Sequence, residues 1–104
     1  MHGINSERNV KIQVIIGILI IILSAYLGLS HIEFALIISL VFFVIILEIV
    51  NTSIERMIDK IHPKFDKDYE KIKDLMAGAV LLAVVLAIIV GFLILYEPLV
   101  SLLT

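Results

Sequence analysis

An all-α membrane protein with three transmembrane helices is the fold class this sequence predicts, and three observations predict it. The 104 residues are 62% hydrophobic with a mean hydropathy of +1.17, above the usual globular share. The apolar residues are gathered into three runs long enough to cross a bilayer. All eight Lys and Arg residues lie before the first run or between the second and third. By the positive-inside rule, the N-terminus and the 51–74 loop region face the cytoplasm, and the 30–33 turn and the C-terminus face out. The chain is then a multi-pass protein of the cell inner, or cytoplasmic, membrane.

Composition excludes several function classes. Without cysteine there is no disulfide, thiolate catalysis or Cys-based metal site. A net charge of −2 offers nothing to nucleic acid. No GxxxxGK[ST], GxGxxG or GxSxG occurs, so soluble nucleotide folds and serine hydrolases have no support.

Residues 1–9 are polar and do not read as a removable signal peptide, and Ser6 is placed to cap a helix with Glu7 in its first turn. The first span covers about residues 10–29, followed by a minimal turn at 30–33. The second span covers about 34–50. Its helical pattern continues through Ile54, Met57, Ile58 and Ile61, so this helix extends into the cytoplasm until His62-Pro63 stops it. Asp66 or Asp68 is placed to cap a third helix, whose span covers about 75–96 and which Glu97-Pro98 closes, leaving a tail at the interface. Ala77, Gly78, Ala79 and Gly91 read as small residues for close helix packing.

The chemistry gathers where the second run ends. Glu48, Asn51, Glu55 and Asp59 stand at offsets 0, 3, 7 and 11, one stripe of a single helix at about 100° per residue. A carboxylate at a membrane edge is costly to keep ionised, which makes Glu48 a candidate for function rather than a hydrated headgroup residue. Glu55 lies roughly 10 Å further along the helix axis at about 1.5 Å per residue. Such a pair suits two jobs: one carboxylate takes a proton from a lipid hydroxyl, and the other holds a hard cation bearing a phosphate. Glu7 is a possible second cation ligand, or equally a charge complementing a helix N-terminus. Lys73-Asp74 is either a phosphate contact or a membrane anchor. Asp59 reads as a solvated residue or an ion-pair partner of Arg56 or Lys60. His2, His31 and His62 lack partners at metal spacing.

These residues resemble the small prokaryotic integral-membrane lipid kinases, diacylglycerol kinase and its Gram-positive relative undecaprenol kinase. The resemblance rests on Glu48-Ile49-Val50-Asn51-Thr52-Ser53-Ile54-Glu55, then Asp59, Lys73-Asp74 and Ala77-Gly78-Ala79-Val80. Ser6-Glu7-Arg8-Asn9 is similar to the T-E-R-N segment of the undecaprenol-kinase branch. Family members begin with a longer amphipathic surface helix, whereas six residues precede Glu7 here. The 64–66 loop falls at the family's nucleotide-facing loop without matching a shared motif.

The resemblance implies a homotrimer with active sites shared between subunits at the cytoplasmic membrane surface. It implies Glu48 as catalytic base with Asn51 beside it, Glu7 and Glu55 on the Mg²⁺ of ATP, and Lys73 and Asp74 on the nucleotide. The expected reaction is ATP-dependent phosphorylation of a membrane lipid alcohol, with undecaprenol favoured and diacylglycerol the alternative. A proton-coupled multidrug transporter would need a fourth span and a mid-span Glu. A holin-like protein leaves the polar spacing unexplained, and a shortened non-catalytic kinase homologue would keep it without activity.

Overall fold

The computed structural model describes residues 2–61 and 67–104, with side chains from residue 7 onward. Three helices account for these residues: α1 (His2–Leu27), α2 (His31–Ile61) and α3 (Lys67–Leu103). They form an antiparallel bundle of 55 × 22 × 19 Å in which α2 packs against both neighbours, while α1 and α3 scarcely touch. All three are long and apolar enough to cross a membrane. At about 1.5 Å per residue, α2 and α3 measure roughly 47 and 56 Å, against roughly 30 Å of bilayer hydrocarbon. Both therefore project well beyond it.

The distribution of side chains is inverted relative to a protein folded in water. Ile16, Leu19, Ile22, Phe42, Leu82, Ile88 and Leu93 are exposed, whereas Ser24, Glu48, Asn51 and Thr52 are buried. A bilayer solvates the first set, and helix-helix contact shelters the second.

Local chemistry explains most helix boundaries. α1 ends where Gly28 adopts φ +71°, a left-handed conformation that glycine takes without strain, and its N–H donates to the Ala25 carbonyl at 3.3 Å. Ser30 then caps α2. Glu33 N–H donates to Ser30 Oγ, and Ser30 N–H donates to Glu33 Oε1, each at 3.2 Å, forming a reciprocal capping box. The turn is thus 28–30, beginning two residues earlier than the sequence suggests, and His31, Ile32 and Glu33 belong to the first turn of α2. α2 is described as far as Ile61, and the expected stop at His62-Pro63 lies outside the described residues.

Four expectations need correction. α1 begins at His2 and runs through Ser6, because no proline or other break prevents the helix from starting upstream. Ser6 is therefore not its cap. Asp68 lies inside the first turn of α3, where it complements the helix N-terminus instead of capping it, and Asp66 lies outside the described residues. Nor does Pro98 close α3. A proline removes one N–H bond, to the carbonyl four residues back, and a spanning helix absorbs that loss. The helix continues to Leu103, and Thr104 donates from both N–H and Oγ1 to the Val100 carbonyl, at 3.0 and 2.8 Å.

The fourth concerns close packing within the chain, which occurs at a different glycine. A Cβ on Gly78 or Gly91 would meet nothing within 4 Å, whereas one on Gly17 would meet Val41 Cγ1 at 2.5 Å. Gly17 is where α1 approaches α2 most intimately, and the Val41 side chain is β-branched and has little freedom to turn away. Gly17→Val is expected to lower stability by about 1–3 kcal/mol through overpacking, more than the small gain in helix propensity returns. Thermal unfolding in detergent checks this; an unchanged midpoint would contradict the register.

Candidate active site

The α1–α2 register set at Gly17 brings the N-terminal half of α1 alongside the C-terminal half of α2. Antiparallel packing of α3 adds its own N-terminus, so the charged segments of all three helices share one end of the bundle. The polar stripe of α2 faces inward there. Glu48 is 4% exposed, Asn51 6% and Thr52 8%, although all three are polar.

Glu48 takes its hydrogen bonds from neutral partners. Gln13 Nε2 on α1 donates to Glu48 Oε1 at 3.4 Å, and Asn51, one turn on in α2, also hydrogen-bonds to the Glu48 carboxylate. Among the described residues, no ion pair involves it. Burying a carboxylate without an opposite charge is unfavourable, and a bundle selected only for stability would place an apolar residue here. Three further polar atoms beside it, Gln13 Oε1, Asn51 Oδ1 and Thr52 Oγ1, are buried without hydrogen-bond partners. Unsatisfied donors and acceptors gathered in one place suit a site completed by a polar ligand.

Ion pairs tie the helices together beyond this pocket. Glu7 on α1 pairs with Arg56 on α2, both half-exposed. Lys73 Nζ on α3 pairs with Asp59 Oδ1 on α2 at 2.5 Å. Asp59 is therefore an ion-pair member, as the sequence allows, but its partner is Lys73 across the hairpin instead of Arg56 or Lys60. Arg56 is drawn away by Glu7. Asp74 is exposed and stands outside the cluster these contacts define.

The donor set fits a hard cation. Among the described residues, no three His, Asp or Glu side chains converge as a complete metal cage. Mg²⁺ does not require one, since it uses one or two carboxylates and completes its shell with phosphate oxygens and water. Glu7 reaches α2 at Arg56, one residue from Glu55, so carboxylates from two helices approach the same level of the bundle. Lys73 adds a cation suited to phosphate.

Below the pocket, toward the membrane interior, an apolar groove of about 540 Å³ opens between α1 and α3 with α2 as its floor. Ile16, Ile20, Val44, Ile45, Val84 and Phe92 are among its walls. Gln13 is its one polar lining residue.

Gln13 and Thr52 were not singled out by sequence reasoning. Thr52 carried a signal, since it lies four residues after Glu48 and hence on the same helical face. Gln13 carried only the oddity of an amide within an apolar run.

The family model for prokaryotic diacylglycerol kinase matches residues 1–95. No curated protein and no solved structure matches the chain. With the match covering all of α1 and α2 and most of α3, the chain belongs to the prokaryotic diacylglycerol kinase family, membrane lipid kinases that use ATP and a divalent metal.

Proposed function

We propose that this chain transfers the γ-phosphoryl group of Mg·ATP to the hydroxyl of undecaprenol, at the charged end of the bundle on the cytoplasmic side of the membrane. The observation that carries the chemistry is the buried Glu48 carboxylate, held by neutral donors next to an apolar groove. That combination supports Glu48 as proton acceptor for a hydrocarbon-anchored alcohol.

Glu48 accepts the hydroxyl proton as the lipid oxygen attacks phosphorus in line with the departing ADP oxygen. Asn51 orients Glu48. Glu7 and Glu55 would hold the metal. Lys73 turns from Asp59 toward the phosphates, and Asp74 contacts the nucleotide from the solvent side. Bound Mg²⁺ would supply neutralisation of phosphate charge. Catalysis is then mostly positioning and charge compensation, as phosphoryl transfer requires. Three slender helices leave the nucleotide open on one side, which supports a homotrimer whose subunits complete one another's sites.

The preference for undecaprenol rests on Glu7-Arg8-Asn9, the segment that resembles the undecaprenol-kinase branch. Diacylglycerol is the second reading, favoured by the description of the matching family. The purified protein, supplied with equal amounts of the two lipids and ATP labelled at the γ-phosphate, is expected to label undecaprenol faster. Faster labelling of diacylglycerol would reverse the assignment.

A further inference from the structure

We propose that Gln13 is a positioning residue for Glu48, the side chain that aims the carboxylate at the acceptor hydroxyl; this deepens the kinase reading and rests on it. Gln13 is the single point where the polar pocket and the apolar groove meet. It lines the groove, and its amide nitrogen reaches a carboxylate 35 residues away on another helix. A glutamine retained simply to meet water at the bilayer surface would direct its amide outward. Here the amide points inward, with Oε1 buried and unpartnered.

The amide geometry determines what Gln13 can do. Its Nε2 donates to Glu48 Oε1, which ties that oxygen of the carboxylate to α1. Asn51 constrains the same group from its own helix, so Glu48 is held from two directions by donors that leave it uncharged by any ion pair. A Lys or Arg at residue 13 would lock the carboxylate in a salt bridge and make it a poorer base; an apolar residue would let it swing. In the transfer step, the lipid oxygen forms a bond to the γ-phosphorus as the bond to the ADP oxygen breaks. The hydroxyl proton passes to the Glu48 carboxylate, and ADP is the leaving group. Gln13 neither gains nor loses a proton.

The test uses the full-length protein in mixed micelles. Gln13→Leu retains bulk without a donor and is expected to lower kcat about tenfold, the fold-change associated with losing one hydrogen bond to a charged group. KM for Mg·ATP should stay unchanged, because the nucleotide ligands lie elsewhere. Gln13→His keeps an N–H donor and should recover much of the loss. Infrared spectroscopy gives a second readout that needs no turnover: the carboxylate band absent from Glu48→Gln should shift in Gln13→Leu. A kcat for Gln13→Leu close to that of the unsubstituted protein, a Gln13→His no better than Gln13→Leu, or an unshifted band would each overturn the assignment. Should the unsubstituted protein phosphorylate no lipid, the kinase reading fails separately, and the infrared band alone decides whether Gln13 holds Glu48.

Discussion

Glu48→Gln is expected to reduce lipid phosphorylation by about 10²–10⁴-fold, the usual contribution of a positioned proton acceptor, with Mg·ATP binding retained. Glutamine has the same shape as glutamate and can still accept the Gln13 hydrogen bond, so the pocket need not rearrange. What disappears is the ability to take the proton. The same substitution is expected to raise thermal stability, because a buried charge with neutral partners is replaced by a neutral amide. Opposite movement of activity and melting temperature would identify Glu48 as a residue retained for function at the expense of stability. A variant that kept its turnover would exclude Glu48 as the base, whatever its burial.

The second large effect lies at the metal. Glu55→Gln should raise the Mg²⁺ concentration for half-maximal activity by about tenfold, as loss of one charged ligand implies. Glu7→Gln should move it in the same direction. Both carboxylates are only partly buried, and the Glu7–Arg56 pair is half-exposed, so its own contribution to stability is small. Melting temperatures should therefore stay nearly constant as the metal requirement rises. If the metal dependence were unchanged and the protein unfolded instead, these residues would be structural ties between α1 and α2.

The three helices were legible because each has a long apolar run. The stripe from Glu48 to Asp59 was legible because helical spacing alone aligns it. What escaped the sequence depended on contacts between helices. Gln13 faces Glu48 only because Gly17 admits Val41 and so sets the register of α1 on α2. Arg56 and Lys60 lie close to Asp59 along the chain, yet the fold selects Lys73. Pro98 was misread for a different reason: the rule that proline ends a helix belongs to helices whose freed carbonyl has water to turn to. The start of α2, by contrast, could have been placed from the sequence, since Gly28 followed by Ser30 and Glu33 is the pattern of a helix stop and a capping box.

The central claim is that a buried Glu48 at the membrane edge takes the proton of a lipid alcohol during transfer from ATP. The most direct measurement follows label from the γ-phosphate of ATP into the chloroform-extractable lipid, comparing the unsubstituted protein with Glu48→Gln under conditions where both bind Mg·ATP. Label in the lipid fraction with the unsubstituted protein and its near-absence with Glu48→Gln is the expected result. Equal labelling by the two proteins, or none by either, would contradict it.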